Sequence, residues 1–236
     1  MRALLLAAGL GTRLRPLTER IPKCLVSIGG EPLLGRWLAA LFADPRIERV
    51  LINTHYLPDP VNAFVAASAW RDRVDLVHEP SLLGTGGTIL ANRRYFGREP
   101  FFVAHADNLT DAPPSRLIDA HLAADPDVML TLFAFRTATP QSCGILELDA
   151  NRRVVGFHEK VANPPGNLAN GAVYVFSPEV ITRIERLGRP VVDLSTEIIP
   201  GLMPHILAVE HPGLFLDIGT PEALAEANAR ITAQAT

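Results

Sequence analysis

A glycine loop that carries cations directly follows an apolar run near the start of the chain. Leu4–Leu6 precede a segment from Ala7 to Lys23 that reads AAGLGTRLRPLTERIPK. A sheet strand that ends in such a loop delivers bare backbone N–H groups, a guanidinium and an ammonium to one place, where they can receive a phosphate chain. The segment therefore favours an α/β fold with an anion-binding loop after its first strand.

This loop is neither of the two commonest phosphate-binding loops. A dinucleotide-binding turn has the pattern G-x-G-x-x-G, whereas Gly9 and Gly11 are followed by Leu14 in place of the third glycine. A Walker loop, G-x-x-x-x-G-K-[ST], occurs nowhere in the 236 residues. For an isolated Gly-x-Gly, a tight turn with solvated Arg13 and Lys23 would be the better interpretation. The whole segment is more specific than that.

The segment G-x-G-T-R-L-x-P-L-T, which ends in Pro-Lys, resembles the signature of the nucleotide-sugar pyrophosphorylases. These nucleotidyltransferases join a nucleoside triphosphate to a sugar 1-phosphate. The resemblance implies that Arg13 and Lys23 are catalytic and hold the triphosphate and the leaving pyrophosphate. It implies nucleotide contacts, through the backbone N–H groups of the loop, for Ala7, Ala8, Gly9, Gly11 and Thr12.

Composition limits the partners and the compartment. The chain is 48% apolar and 20% charged, with a net charge of −3, so it can bury one good core and shows no electrostatic footprint for nucleic acid. The N-terminal apolar run is shorter than the roughly 7–15 residues of a signal-peptide core, and no stretch reaches the ~20 apolar residues of a membrane span. Cys24 and Cys143 have no metal-ligand spacing and are too few for a disulfide framework. We expect a cytoplasmic protein without nucleic-acid or membrane partners.

The order of apolar runs and helical patterns predicts a Rossmann-like three-layer α/β sandwich with a mostly parallel, mixed central sheet. After about Asp127 strand-like runs lie close together, which indicates a small β-rich subdomain that faces the sugar. We expect one domain over residues 1–236, with a nucleotide-binding half at about 1–127 and a sugar-phosphate-binding half at about 128–236. The predicted strands are Ala3–Ala7, Val50–Asn53, Val74–His78, Phe101–His105, Val128–Phe135, Gly144–Leu148, Val154–His158 and Ala172–Phe176. The predicted helices are Pro32–Phe42, Val61–Ala69, one after Gly87 and Pro221–Ile231.

Two expectations concern assembly. The chain has no internal repeat and lacks the hexapeptide repeats of the left-handed β-helix that some of the resembled enzymes append. We therefore expect neither acyltransferase activity nor β-helix trimerisation. The apolar stretch Gly201–Val209 is expected to be exposed and to suit a homodimer contact.

A second glycine-rich segment follows the predicted strand Val74–His78. It reads EPSLLGTGGT from Glu79 on, with three glycines in four positions. Such glycines indicate close approach of the backbone to something flat or anionic, and N–H groups at a helix start are good donors; a flexible turn before a helix is the alternative. In the resembled enzymes this segment lies against the nucleobase, which implies nucleotide contacts for Glu79, Gly84, Thr85 and Gly86. The form Leu-Gly-Thr-Gly-Gly is most similar to guanylyltransferases acting on mannose or heptose phosphates, although uridylyltransferases acting on N-acetylmuramic acid phosphate also carry Thr-Gly-Gly.

Two aspartates are candidate ligands of a divalent cation. Mg²⁺ on a triphosphate takes only one or two protein carboxylates. Asp107 follows the strand Phe101–His105 and so stands at a strand's carboxyl end, where open α/β sheets carry out their chemistry. Asp217, in Asp-Ile-Gly-Thr-Pro-Glu, matches the resembled enzymes closely, whereas Ala106 stands where they usually have glycine. A helix N-cap or a turn is the alternative for either aspartate alone. Together they predict a site for Mg²⁺, or Mn²⁺, in which Asp107 is also catalytic.

The second half of the chain carries the predicted sugar-phosphate site. The resemblance assigns Glu159 to a sugar hydroxyl, Lys160 to the sugar phosphate, and Asn170 with the backbone of Gly144 to further sugar contacts. A Glu-Lys pair at a strand end is usually only a solvated pair, but a sugar phosphate requires a cation and this half offers few lysines. The segment Asp193–Glu197 is expected to be structural or to lie at the rim of the sugar site.

The implied activity is transfer of a nucleoside monophosphate from a nucleoside triphosphate, with GTP favoured, to a sugar 1-phosphate, as in the synthesis of polysaccharide precursors. Such a reaction reduces to holding two polyanions in line.

Two other classes of protein stay open. A phosphocholine cytidylyltransferase would need aromatic or acidic residues around a quaternary nitrogen, and the chain is only 6% aromatic. A non-catalytic protein that binds a nucleotide sugar could dispense with Arg13, Lys23, Asp107 and Asp217.

Overall fold

The computed structural model describes residues 1–234 as two compact units of a mixed α/β fold, which is the predicted class. We call them the loop unit and the β-rich unit. The loop unit comprises Ala3–Leu82, Ala104–Asp111 and the chain from Leu214, and the β-rich unit comprises Met1–Arg2, Leu83–Val103 and Ala112–Gly213. The division of one domain into halves at about residue 127 stays a prediction.

The described residues form the following strands and helices. The strands are β1 Arg2–Leu6, β2 Ser27–Ile28, β3 Glu31–Pro32, β4 Arg49–Thr54, β5 Val74–His78, β6 Phe101–His105, β7 Asn108–Thr110, β8 Leu130–Arg136, β9 Gly144–Leu148, β10 Val154–Glu159, β11 Leu168–Phe176, β12 Ile206–Glu210 and β13 Phe215–Asp217. The helices are α1 Leu33–Phe42, α2 Pro58–Ala67, α3 Gly84–Ala91, α4 Arg93–Phe96, α5 Pro114–Leu122, α6 Glu179–Glu185, α7 Ile199–Leu202 and α8 Pro221–Gln234. Within this part of the chain, every helix is too short or too polar to span a bilayer.

The predicted strands and helices are all present, and β5, β6 and β9 have the predicted bounds. Helix α3 begins at Gly84 rather than after Gly87, because the glycine run forms its first turn. Sequence reasoning missed α5, α6 and β12. In the two helices the apolar residues are few and interrupted by charged ones, as in α5, whose buried face includes Leu117, Ile118 and His121.

In the loop unit, β1, β4 and β5 are neighbours in that order. Strands β4 and β5 run parallel, with Val50 opposite Val74 and Thr54 opposite His78. Residues 50–54 are all buried, which is the reason that β4 reads as a continuous apolar run instead of an alternating one. Strand β4 therefore ends in two buried polar residues, Asn53 and Thr54.

A two-stranded antiparallel sheet in the loop unit joins distant parts of the sequence. Strands β7 and β13 pair antiparallel, with Asp217 opposite Asn108. Helix α8 packs Leu224 and Ile231 against the buried cluster around this pair, and each such side chain contributes about 1.5–3 kcal/mol when fully buried. The buried members of that cluster are Leu14, Val26, Ile28, Leu33, Leu109, Leu214, Ile218 and Ala227. The last helix thus fixes β13 beside β7.

In the β-rich unit, β9 lies between β10 and β11, and β8 lies between β11 and β12. The pairs β10–β9 and β11–β8 are antiparallel, whereas β12 and β8 are parallel. The core is aromatic: Phe101 and Phe176 stack with ring centroids 5.6 Å apart, and Tyr174 is fully buried beside them. The antiparallel strands β8 to β11 lie in this unit, and the sugar-facing β-rich subdomain stays a prediction.

The expectation that Gly201–Val209 is exposed was wrong. Strand β12 runs through this stretch and pairs with β8, and Ile206 and Ala208 are at most 1% exposed. A short apolar run at this length fits a buried strand as well as a surface patch, and the partner strand decides between them. The homodimer contact predicted there loses its support.

The glycine run at the start of α3 packs against an extended segment of the same unit. The carbonyl oxygen of Val192 accepts the N–H of Gly86 at 2.8 Å and that of Gly87 at 3.1 Å. The N–H of Val192 donates to the carbonyl oxygen of Leu83 at 3.0 Å. These bonds satisfy N–H groups that a helix start otherwise leaves unpaired.

The same contact explains why glycine is needed. A Cβ on Gly84 would lie 2.5 Å from the carbonyl oxygen of Val192, and one on Gly87 would overlap the carbonyl oxygen of Pro190. Backbone atoms cannot turn aside as a flexible side chain can. The glycines therefore allow two backbone segments to touch.

We predict that Gly87→Ala destabilises the protein by about 1–3 kcal/mol, because the added methyl group forces the backbone at Pro190 to move. The matched control is Gly201→Ala in α7, where a Cβ meets nothing within 4 Å. That change is expected to be neutral or to stabilise by up to about 1 kcal/mol, since alanine is the better helix former. Urea unfolding of both variants measures the difference, and equal midpoints would contradict the packing argument.

Candidate active site

The predicted site residues lie in both units, and each group is described within its own unit. In the loop unit, the start of the glycine loop is held by Asn53 at the end of β4. Its Oδ1 accepts the N–H of Ala7 at 2.8 Å, and its Nδ2 donates to Oε1 of Glu79 at 2.9 Å. Glu79 is 4% exposed, and its N–H donates to the carbonyl oxygen of Thr54 at 2.8 Å. One buried amide thus links the loop to Glu79, which was predicted to contact nucleotide.

The turn of the loop is fixed by Gly11 and Thr18. Gly11 has φ +63°, and a Cβ on it would lie 3.0 Å from Cγ2 of Thr18. The buried hydroxyl of Thr18 donates to the carbonyl oxygen of Gly11 at 2.7 Å. Thr12 begins the short 3₁₀ turn Thr12–Leu14 that follows. The left-handed backbone and the tight contact both require glycine at this position.

Ala8 and Gly9 lie between these two anchors. Ala8 is 7% exposed, so its methyl group belongs to the core. A Cβ on Gly9 would meet nothing within 4 Å, so glycine here leaves open space beside the backbone. Open space next to the loop is what a bound phosphate chain would need.

The ammonium of Lys23 joins the two predicted metal ligands. Its Nζ lies 2.5 Å from Oδ2 of Asp107 and 3.1 Å from Oδ1 of Asp217. The side chain of Lys23 is 10% exposed, whereas those of Asp107 and Asp217 are 31% and 57% exposed. The structure therefore brings together three residues that the sequence separates widely.

Backbone pairing sets the distance between the two aspartates. Asp217 lies opposite Asn108 across β7 and β13, and the N–H of Ile218 donates to the carbonyl oxygen of Asp107 at 3.1 Å. Lys23 is delivered by a 3₁₀ turn, Lys23–Leu25, that follows an extended Pro22. Main-chain hydrogen bonds therefore hold the backbones of both aspartates side by side, and their carboxylates reach Lys23 from there.

The guanidinium of Arg13 lies on the exposed side of the same group. Its Nη2 is 3.6 Å from Oδ2 of Asp217, and its side chain is 66% exposed. A Cβ on Gly219 would lie 2.7 Å from that nitrogen. Glycine at position 219 thus leaves room for the guanidinium, and an exposed pair of this kind can exchange one anionic partner for another.

The charge state of Asp107 follows from this arrangement. Burial alone would raise its pKa, but the charges of Lys23 and His105 and the hydrogen bond from Lys23 outweigh burial and hold the pKa of Asp107 below its usual range. The carboxylate is therefore ionised at neutral pH.

The donor set fits a hard divalent cation. Two carboxylates that bond the same nitrogen lie within reach of one ion, and Mg²⁺ or Mn²⁺ prefers oxygen ligands, with phosphate and water completing the shell. Within residues 1–234, no group of three or more His, Cys, Asp or Glu side chains could hold a metal. Burial raises the pKa of the neighbouring Cys24 thiol to about 12, which leaves this sulfur protonated. Any ion held here would depend on substrate oxygens.

In the β-rich unit, Thr85 is tied to Asp193. Its hydroxyl accepts the N–H of Leu194 at 2.7 Å and donates to Oδ2 of Asp193 at 3.3 Å. Oδ1 of Asp193 accepts the N–H of Thr196 at 2.9 Å and so caps a π-helical turn, Leu194–Ile198. Asp193 was expected to be structural or to lie at a sugar rim, and it acts as a helix cap that also holds Thr85.

The predicted sugar residues Gly144, Glu159 and Lys160 lie together. A Cβ on Gly144 would lie 2.6 Å from Oε2 of Glu159, so glycine lets the carboxylate rest on the β9 backbone. Lys160 has φ +50°, and its Nζ lies 3.2 Å from Oε1 of Glu159. The Lys160 side chain is 66% exposed. Its charge is therefore available to an anion from solvent.

Asn170 is oriented by its own strand. Its Oδ1 accepts the N–H of Ala172 at 3.0 Å, and its Nδ2 donates to the hydroxyl of Tyr174 at 2.8 Å. Ala172 has φ +52°, at an irregularity where the register of β11 against β8 shifts between Asn170 and Tyr174. Burial raises the pKa of Tyr174, which keeps the phenol protonated. The side-chain amide of Asn170 is thus fixed in one orientation.

Sequence reasoning missed Thr18, Asn53, Tyr174 and the role of Asp193. Each is a polar residue beside a predicted site residue and is made important by a hydrogen bond rather than by a motif of its own. A signal was present for Asn53, because a polar side chain inside a buried strand needs a partner. The other bonds depend on loop conformations that the sequence does not reveal.

Comparison with known proteins identifies the family of this chain. The family model described as nucleotidyl transferase matches residues 2–234. The mannose-1-phosphate guanylyltransferase of Mycobacterium tuberculosis is 35% identical over 225 residues, which are 93% of this chain and 61% of that protein. The catalytic subunit beta of the Drosophila melanogaster enzyme of the same name is 31% identical over 227 residues, 94% of this chain and 60% of that protein. The chain thus spans about three fifths of the length of the curated relatives it matches.

Solved structures give the same fold. HddC from Yersinia pseudotuberculosis complexed with GMP-PN has a TM-score of 0.79 at 25% sequence identity, covering 98% of this chain and 99% of that one. A proposed glucose-1-phosphate thymidylyltransferase from Bacillus anthracis, in complex with a sucrose, has a TM-score of 0.87 at 20% identity, covering 98% and 94%. The latter likeness concerns the fold alone, and it confirms the predicted α/β class with a mostly parallel, mixed sheet. With a family model that matches nearly its whole length, this chain belongs to the nucleotidyl transferase family.

Proposed function

We propose that this chain transfers a nucleoside monophosphate from a nucleoside triphosphate, GTP in preference, to a sugar 1-phosphate of mannose or heptose type. The products are a nucleoside diphosphate sugar and pyrophosphate. The observation that supports it is the convergence of Lys23, Asp107, Asp217 and Arg13 beside the glycine loop. Two carboxylates and two cations in one place suit a metal-bound triphosphate and its leaving group.

The reaction needs little covalent help from the protein. An oxygen of the sugar phosphate attacks the α-phosphorus, a new P–O bond forms, and the bond to the oxygen that bridges the α- and β-phosphates breaks. Pyrophosphate leaves with that electron pair. A phosphomonoester has its second pKa at about 6, so the attacking oxygen is already anionic at neutral pH. Positioning and charge neutralisation therefore provide most of the rate enhancement.

The loop-unit residues have distinct roles in this proposal. Asp107 and Asp217 hold a divalent cation, which when bound neutralises charge on the phosphates. Lys23 and Arg13 bind the triphosphate and stabilise the departing pyrophosphate, and the backbone of the loop from Ala7 to Thr12 contacts the nucleotide. Glu79 of this unit is proposed to contact the base, as are Gly84, Thr85 and Gly86 of the β-rich unit.

The acceptor is proposed to bind in the β-rich unit. Exposed Lys160 binds the sugar phosphate, while Glu159, Asn170 and the backbone of Gly144 bind hydroxyl groups. Lys23 and Lys160 are the two lysines of the chain, and every other basic residue apart from histidine is arginine. Because an ammonium is a compact point charge and a guanidinium is a planar fork, this distribution supports special roles for both lysines.

The preference for a guanine nucleotide and a mannose-type acceptor is supported by the relatives. Those in Mycobacterium and Drosophila are named mannose-1-phosphate guanylyltransferases, and the HddC structure contains GMP-PN. The segment Leu83–Gly87 has the form most similar to such enzymes. A UTP-dependent enzyme acting on N-acetylmuramic acid 1-phosphate is the alternative outcome of the experiment below.

The direct experiment is a matrix of four nucleoside triphosphates against a panel of sugar 1-phosphates, with Mg²⁺ or Mn²⁺, scored by pyrophosphate release. We expect turnover to be highest for GTP with mannose 1-phosphate or a heptose 1-phosphate. Highest turnover with UTP would contradict the proposed nucleotide and sugar but would still support the proposed nucleotidyl transfer. Absence of turnover with every pair would favour a non-catalytic nucleotide-sugar-binding protein.

Lys23→Ala is expected to lower kcat by about 10²–10³, the usual loss when a preorganised charge at a developing anion is removed. Lys23→Arg should recover little of it, because a guanidinium is too broad to lie between Asp107 and Asp217 in the same way. The control is Arg20→Ala, which removes an exposed cation from the same loop. Steady-state kinetics with melting temperatures measures both effects, and near-normal kcat in folded Lys23→Ala would reject the assignment.

Lys160→Ala is expected to raise the KM for the sugar 1-phosphate by about tenfold and to leave the KM for the nucleotide unchanged, because one charge-assisted contact is lost. The control is Arg186→Ala, which removes an exposed cation after α6 in the same unit. An unchanged sugar-phosphate KM in Lys160→Ala would argue against this contact.

A further inference from the structure

The ammonium of Lys23 occupies the place between two carboxylates that a metal ion is proposed to take. Nζ lies 2.5 Å from Asp107 and 3.1 Å from Asp217, so the oxygens nearest a prospective ion already have a cationic partner. The side chain is 10% exposed, less than either aspartate. The Lys23 side chain therefore lies between the two aspartates and is mostly shielded from solvent.

We propose that Lys23 is an internal counter-ion that fills the cation position between Asp107 and Asp217 until a nucleotide arrives. Free divalent cations then bind the carboxylate pair only weakly. The inference rests on the proposed metal-binding role of the two aspartates. In this proposal, Asp107 and Asp217 bind a metal ion tightly only when the Lys23 side chain has moved away from them.

The physical reason is competition between like charges. A divalent cation that approaches the pair meets a positive charge within a few ångströms in a half-buried site, where repulsion is screened less than in water. It must displace the ammonium or share oxygens with it. Asp107 and Asp217 on their own would present two negative charges to the ion.

A triphosphate removes this obstacle. Its oxygens offer Lys23 new acceptors of higher charge, so the ammonium can leave the carboxylates without losing its hydrogen bonds. The same oxygens supply the ligands that Mg²⁺ needs besides one or two carboxylates. Metal and nucleotide then favour each other's binding, and by linkage the effect is mutual.

The backbone at Lys23 suits a side chain that moves while its main chain stays in place. The N–H of Leu25 donates to the carbonyl oxygen of Pro22 at 2.8 Å, and that of Val26 to Lys23 at 3.1 Å. A Cβ on Gly11 would lie 3.4 Å from Cβ of Lys23, so the base of the side chain is packed. The flexible part is the remaining alkyl chain and its ammonium.

The test measures metal binding without nucleotide and without turnover. Wild type, Lys23→Met and Lys160→Met are titrated with Mn²⁺, and free Mn²⁺ is read by electron paramagnetic resonance. Methionine keeps the packing of the stem and removes the charge. We expect Lys23→Met to bind Mn²⁺ at least about tenfold more tightly than wild type, and Lys160→Met, the chain's other lysine, to bind as wild type does. Adding Asp107→Asn to Lys23→Met should abolish the gain.

The results separate this inference from the proposed function. Equal Mn²⁺ affinity of wild type and Lys23→Met, or absence of binding to Lys23→Met, overturns the counter-ion role. Wild-type turnover in the substrate matrix would leave the proposed function standing in either case. If Lys23→Met does not fold, Lys23→Gln replaces it in the same titration, and the same two results decide.

Discussion

The ion pairs of Lys23 with Asp107 and Asp217 depend on several elements of the loop unit. Three residues that are distant in sequence reach one point because a 3₁₀ turn delivers the lysine and antiparallel pairing of β7 with β13 delivers the aspartates. Helix α8 stabilises that pairing through the buried apolar cluster. The last helix of the chain is thus part of what holds the candidate site, although it supplies none of the predicted ligands.

Charge balance explains why this arrangement is stable without substrate. Two carboxylates held close together would repel each other, and burial of Asp107 alone would raise its pKa. The charges of Lys23 and His105 outweigh that effect and keep Asp107 ionised. This carboxylate does not have to lose a proton before it meets a metal-bound polyphosphate.

The fold could be predicted from sequence to the extent that periodicity reports burial. Strands β5, β6 and β9 were predicted with their observed bounds, and the clearest case is β6, whose continuous apolar run over residues 101–104 is buried. Strand β12 was misread as a surface patch, since its four apolar residues give no information about its partner, β8. Motif resemblance selected Lys23, Asp107 and Asp217, and the structure brings them together. A common site for Asp107 and Asp217 was predicted, whereas the ion pairs of Lys23 with both aspartates were not, because these contacts depend on the pairing of β7 with β13, which no local pattern reveals.

The glycine segments show the limit of motif reading most clearly. Gly11 and Gly219 make room for Thr18 and Arg13, so both glycines serve the cationic loop. Gly84 and Gly87 make room for the backbone of Val192 and Pro190 instead, and the N–H groups of Gly86 and Gly87 are bonded to Val192. Sequence alone cannot distinguish a backbone that approaches a ligand from one that approaches another backbone, since both need the missing Cβ.

Hydrogen bonds to the carboxylate of Asp193 connect several residues of the β-rich unit. Asp193 caps the π-helical turn and holds the hydroxyl of Thr85, while Ser195 in that turn bonds Tyr174, whose hydroxyl accepts from Asn170. Thr85 and Asn170, predicted from separate motifs to contact nucleotide and sugar, are therefore connected through one short segment. Because bonded polar groups in a buried network constrain one another, a shift of either predicted contact is opposed by the other. In the loop unit paired charges hold the predicted site residues in place, and here hydrogen bonds do so, while the side chain of Lys160 lies exposed beside Glu159.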